Sequence, residues 1–196
     1  MTRWITQGCV KHAQRQVKIV VYNAKQDDPR KCTASKLRRF GLVREVLQIR
    51  YLPKRAVVLN PFSKVAFSPA DKERVEEFGL VGLDCSWERA EEVLLKRVKG
   101  TSRCLPFLIA GNPVNFGKPT KLSTVEALTA ALYIVGFEQE AAQLLSIFKW
   151  GHTFLEMNHE RLEGYKSARN SGEIVELQKR FISDLDRKQD VIGKRE

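Results

Sequence analysis

Short apolar runs, separated by segments carrying helix-start and helix-stop chemistry, constrain this chain most. Val17-Lys18-Ile19-Val20-Val21-Tyr22 is rich in β-branched residues and predicts a first strand. Ala56-Val57-Val58-Leu59 predicts a second, ended by Asn60-Pro61, and Leu80-Val81-Gly82-Leu83-Asp84 a third. Leu105 to Ala110 predicts a fourth. Between them, Thr33 to Phe40 reads as a short helix capped by Thr33 and stopped by Gly41. Ser68 as N-cap, Pro69 at the first helical position and Asp71 in the first turn open another, closed by Gly79. Glu88 to Val98 completes the series. Strands alternating with helices predict a parallel sheet in an α/β layer.

The second half changes character, with no strand expected after about residue 112. Ser123-Thr124-Val125-Glu126 has capping-box spacing and leads an apolar run to Val135-Gly136. Glu138 to Phe148, Thr153 to Ala168 and Gly172 to Leu185 predict further helices, the last with Ser171 as cap. Residues 188–196 are polar and expected to fray.

Charge is segregated along the chain. Residues 1–64 hold fifteen Lys and Arg against three acids, whereas the other 132 residues are nearly balanced. A field this one-sided favours a polyanion, through phosphate neutralisation and counterion release. No apolar run nears the ~20 residues a bilayer span needs, no basic amphipathic helix suggests a membrane surface, and residues 1–16 lack an apolar signal core. A cytoplasmic protein without membrane partners is expected. The four cysteines, Cys9, Cys32, Cys85 and Cys104, form no C-x-x-C pair, and with three histidines no metal site is expected.

No G-x-G-x-x-G follows the first strand and no G-x-x-x-x-G-K-[ST] is present, which removes dinucleotide and P-loop readings. No Ser/His/Asp pattern or H-E-x-x-H supports a hydrolase. Three segments could carry chemistry. Residues 110–122, with two glycines, two prolines and two asparagines, run from a strand end to a helix N-terminus, a usual ligand position in α/β proteins. The alternative is an ordinary connector. Asp84-Cys85-Ser86-Trp87 also follows a strand end, although Trp87 could be a core aromatic and Asp84 a helix cap. Asp28-Pro29-Arg30-Lys31-Cys32-Thr33 opens a basic helix. His152, beside three aromatics, reads as packed rather than reactive.

In order, these segments resemble the rRNA aminocarboxypropyltransferases, which finish a hypermodified pseudouridine in the small ribosomal subunit. The resemblance rests on Asp28-Pro29-Arg30-Lys31-Cys32-Thr33-Ala34-Ser35-Lys36-Leu37, Ser68-Pro69-Ala70-Asp71 and Val81-Gly82-Leu83-Asp84-Cys85-Ser86-Trp87. It continues through Leu105-Pro106-Phe107-Leu108, Asn112-Pro113-Val114-Asn115, Val125-Glu126-Ala127-Leu128 and Phe148-Lys149-Trp150-Gly151-His152, covering roughly residues 17–187.

The resemblance implies a trefoil-knotted, SPOUT-like α/β domain over residues 17–112, after an N-terminal extension at 1–16. An all-helical C-terminal domain over 113–187 and a tail at 188–196 follow. It implies transfer of the 3-amino-3-carboxypropyl group of S-adenosylmethionine to N3 of a pseudouridine, N1-methylated or not, in the rRNA of a pre-40S or pre-30S particle, with 5′-methylthioadenosine released. It is compatible with a monomer. Carried over by motif, the donor pocket involves Thr33, Leu59, Pro61, Val81, Leu105, Thr120 and Thr124, with Asp84 and Trp87 at the reacting centre. Thr120 stands where the family has a large aromatic, and Gly111 and Phe116 replace alanine and tyrosine. A backbone contact at 120 survives that change; stacking there does not.

Sulfonium chemistry explains why position matters. Methyl, ribose C5′ and the γ-carbon of the tail are all activated, so the carbon facing the nucleophile in line reacts. In the resemblance Trp87 covers the methyl, its face suited to the neighbouring cation. Asp84 holds the tail's ammonium in preference to serving as base, an aspartate being ordinarily far too acidic to take an imide proton. Lys31, Lys36, Arg38, Arg39, Lys54 and Arg55 are the candidates for RNA phosphate contact. The competing readings are a SPOUT-type RNA methyltransferase and a non-enzymatic ribosome-assembly factor.

Overall fold

A computed structural model describes residues 17–25, 32–84 and 98–193. Five parallel strands, β1 (Ile19–Asn23), β2 (Arg44–Val46), β3 (Val57–Leu59), β4 (Leu80–Asp84) and β5 (Thr101–Arg103), lie in the order β2-β1-β4-β3-β5. Helices α1 (Thr33–Arg39) and α2 (Lys72–Phe78) fall between strands. Helices α3 (Thr124–Ile134), α4 (Glu138–Ser146), α5 (Gly151–Lys166) and α6 (Ser171–Gly193) follow the sheet.

Alternation along the strands sorts side chains onto two faces. Ile19, Val21, Val57, Leu59 and Leu80 join a large cluster that includes Leu37 of α1 and buried residues of α3 to α6. Val20, Val58 and Val81 turn the other way, against Val46, Leu52 and Ala56. One apolar core therefore runs through the sheet's helical face into the C-terminal helices.

The capping box at Ser68 and Asp71 forms, and Asp71 also accepts from Arg103 Nε at 2.9 Å, tying α2's entry to the end of β5. Gly79 closes α2 at φ 91°, where a Cβ would stand 2.4 Å from Lys18 O.

Several expectations need correction. Cys32, not Thr33, caps α1: its sulfur accepts from Ser35 N. Strand β2 is an additional strand; its three residues, two of them charged, sit at a sheet edge where burial imposes no apolar pattern. The last strand is Thr101–Arg103, whereas 105–110 is irregular apart from a bridge at Ile109. That segment is apolar because helices cover it. Its backbone bonds to side chains: Phe107 N–H donates to Gln178 Oε1, Ile109 N–H to Asn158 Oδ1 (2.8 Å), and Tyr165 OH to Phe107 O. Helix α6 runs to Gly193, so residues 188–193 continue it. His152 is exposed, not packed. The helix expected from Glu88 lies outside the described residues, Val98 excepted.

Candidate active site

The carboxyl ends of β3, β4 and β5 converge on one cleft of about 390 Å³, within the usual range for small-molecule sites. Leu59, Asn60, Pro61 and Phe62 come from the end of β3, Gly82 and Leu83 from β4, and Cys104, Leu105 and Pro106 follow β5. Thr120, Leu122, Thr124 and Ala127 supply the remaining wall. Chain crossings place these ends together: β3 lies between β4 and β5, so consecutive strands deliver their loops to one edge.

Asp84 adjoins this cleft through Thr124, whose hydroxyl donates to Asp84 Oδ1 at 2.6 Å. The Cys32 thiol donates to Asp84 Oδ2 at 2.9 Å. Burial, then the hydrogen bond to Asp84, push the Cys32 thiol up, so sulfur stays protonated and donating. Behind it Asn23, paired with Asp84 across β1 and β4, donates Nδ2 to Glu45 Oε1 at 2.7 Å and weakly to Cys32 Sγ.

The 110–122 segment is held by one carboxylate. Glu126 is fully buried; Oε1 accepts from Gly111 N (2.7 Å) and Asn112 N (2.9 Å), and Oε2 from Asn112 Nδ2 (2.6 Å), Ser123 N (2.7 Å) and Ser123 Oγ (2.7 Å). Five neutral donors satisfy the buried charge. Across the loop Ala110 N–H donates to Lys118 O, and Thr120 N–H to Leu108 O at 2.8 Å. Thr120 is thereby fixed at φ 59°, in the left-handed region. The segment is an ordered wall.

Of the residues expected in the pocket, Leu59, Pro61, Leu105, Thr120 and Thr124 line the cleft. Thr33 stands at the start of α1, beside Cys32, and outside the lining. Val81 is fully buried on the sheet's other face, which limits it to backbone contact. Trp87 and Lys31 lie outside the described residues. Asn60, Phe62, Gly82, Leu83, Cys104, Pro106, Leu122 and Ala127 were not foreseen in the lining; Asn60 and Phe62 flank Pro61, which was the available signal. Glu126 was legible only as a cap.

The basic candidates divide. Lys36 is committed internally: Nζ donates to Ile147 O at 2.7 Å and sits 4.4 Å from the Phe148 ring centroid. Arg38 pairs with Glu45 at 3.0 Å while 61% exposed. Arg39 lies over Phe40 and Arg55 over Phe78, leaving their outer faces, with exposed Lys54, toward solvent. Among the described residues no group of three His, Cys, Asp or Glu could hold a metal, and no helix is long and apolar enough to cross a membrane.

Residues 57–182 match the family described as "Ribosome biogenesis protein, C-terminal". Residues 17–48 match a "Possible Fer4-like domain in RNase L inhibitor"; this span holds only Cys32, so it lacks the four thiolates of an iron–sulfur cluster. The 16S rRNA aminocarboxypropyltransferase of Methanosarcina mazei is 47% identical over 170 residues, 86% of this chain and 96% of that protein. That of Methanocaldococcus jannaschii is 47% identical over 84% of this chain and 96% of its own length. The structure of the SAM-dependent rRNA:acp-transferase Tsr3 from Vulcanisaeta distributa superposes with a TM-score of 0.76 at 45% identity, covering 81% of this chain and 87% of that one. On sequence and fold together, the chain belongs to the rRNA aminocarboxypropyltransferase family.

Proposed function

We propose that this protein transfers the 3-amino-3-carboxypropyl group of S-adenosylmethionine to N3 of a pseudouridine, N1-methylated or not, in small-subunit rRNA during ribosome biogenesis. The observation that carries the reading is an apolar cleft at the strand ends with a fixed carboxylate at its edge. Leu59, Pro61, Leu105, Leu122 and Ala127 suit an adenine and the carbons around sulfur. Asp84 is held by Cys32 and Thr124 with lone pairs to spare, which suits the ammonium of the tail. The start of α3 favours the tail's carboxylate. These residues fit the donor.

As a substrate, S-adenosylmethionine supplies the electrophilic γ-carbon. The N3–Cγ bond forms as the Cγ–S bond breaks, its electron pair neutralises sulfur to give 5′-methylthioadenosine, and the N3 proton leaves to solvent. Asp84 and Thr124 orient the tail for that in-line approach. The resemblance implies that Trp87, which lies outside the described residues, covers the methyl. Arg38, Arg39, Lys54 and Arg55 draw in RNA phosphates; Lys36 instead braces α1 against the loop after α4. A SPOUT-like knot, as the resemblance implies, is compatible with the parallel strand order β2-β1-β4-β3-β5.

Incubation with unmodified small-subunit rRNA and S-adenosylmethionine tests the reading by its nucleoside product. Methylthioadenosine is expected. S-adenosylhomocysteine would indicate a methyltransferase, and RNA binding without turnover an assembly factor.

A further inference from the structure

We infer that Phe62 is the stacking platform for the nucleobase that accepts the transferred group, an assignment that rests on the transferase reading. Phe62 lines the cleft yet is 52% exposed, unlike Leu59 at 7% on the same wall. No ring or cation among the described residues packs on it. The main chain that carries the ring is fixed at the rim of the cleft by hydrogen bonds. Asn60 Oδ1 accepts from Phe62 N at 2.9 Å, and Asn60 Nδ2 donates to Ser102 Oγ at 2.8 Å. Asn60 N donates to Arg103 O at 2.8 Å, Ser63 N to Asn60 O at 3.1 Å, and Ser63 Oγ to Ser102 O at 3.1 Å. The turn is tied to β5, which fixes the Phe62 Cα at the mouth of the cleft.

A base entering this cleft must leave its own stack, losing the neighbours on its faces. An aromatic ring at the rim replaces one of them while leaving the base edge, which carries N3, free to face inward. Exposed Lys64, two residues on, suits the adjoining phosphate. The donor's adenine is better served by the more enclosed walls at Leu59 and Leu105.

The test compares Phe62→Ala, Phe62→Leu and Phe62→Trp with wild type, measuring the Kd for S-adenosylmethionine by equilibrium dialysis and kcat/KM for a small-subunit rRNA fragment. Alanine and leucine should lower kcat/KM for RNA by about 5- to 150-fold, the range of one lost base–aromatic stack, and tryptophan should retain activity. The donor Kd should not change in any of the three. A donor Kd that weakens in parallel with activity overturns the assignment, because the ring then touches the donor. So does an alanine variant with undiminished kcat/KM while wild type is active. A wild type that transfers nothing to RNA overturns the transferase reading, and this assignment with it.

Discussion

The Asp84 carboxylate takes one hydrogen bond from each half of the molecule, the Cys32 thiol ahead of α1 and the Thr124 hydroxyl at the start of α3. Asp84→Asn keeps the shape and removes the charge, so kcat/KM should fall by at least roughly tenfold, with weaker donor binding. Full activity in that variant would remove Asp84 from the site. Cys32→Ala frees one carboxylate oxygen and should cost a few-fold in kcat/KM, with Cys32→Ser restoring much of it. Because folding raises the Cys32 pKa above its ordinary 9.0, the protonated thiol stabilises the fold fully below that value. That contribution should be lost as pH rises past 9.0, so alkaline melts should converge for wild type and Cys32→Ala. Asp84 was legible because it ends a clear apolar strand. Its partner Cys32 was not, since a thiol acting as both cap and donor leaves no pattern in sequence.

At the scale of elements, the 110–122 wall depends on Glu126 and on close approach of α5. Glu126→Gln would turn an amide toward donors now facing Oε2, and should cost about 2–4 kcal/mol by urea denaturation while raising KM for S-adenosylmethionine. Gly111 lies against α5, where a Cβ would stand 2.8 Å from both Phe154 N and Cα. Gly111→Ala, the residue the family resemblance places there, should destabilise this chain by about 1–3 kcal/mol, because α5 has closed onto the glycine. Segments with strong local chemistry were readable: the Ser68 and Ser123 capping boxes, Gly79 and the β1 and β4 runs all form. Strand β5 was misplaced because Thr101–Arg103 is polar at an edge, while the apolar 105–110 stretch is packed under helices and pairs outside the parallel sheet, only through the bridge of Ile109 to Pro119. Apolarity reports burial, and pairing is decided elsewhere.

Across the whole molecule, one hydrophobic cluster joins the sheet to α3–α6. Heat or urea should therefore unfold the described parts in a single transition; two resolved transitions would separate the helical half as an independent unit. The basic excess in residues 1–64 predicts RNA affinity that falls steeply with salt. Lys54→Glu combined with Arg55→Glu should weaken RNA binding about tenfold or more at low salt and leave the donor Kd unchanged. Charge along the chain announced the polyanion, but which bases are free was not legible: Lys36, in the same cluster, is spent on Ile147 and Phe148. The most direct measurement supplies S-adenosylmethionine labelled in both its carboxyl carbon and its methyl group to the protein with small-subunit rRNA. Carboxyl label should enter the RNA while methyl label leaves in methylthioadenosine; methyl label in the RNA, with the carboxyl label left in solution, would contradict the account.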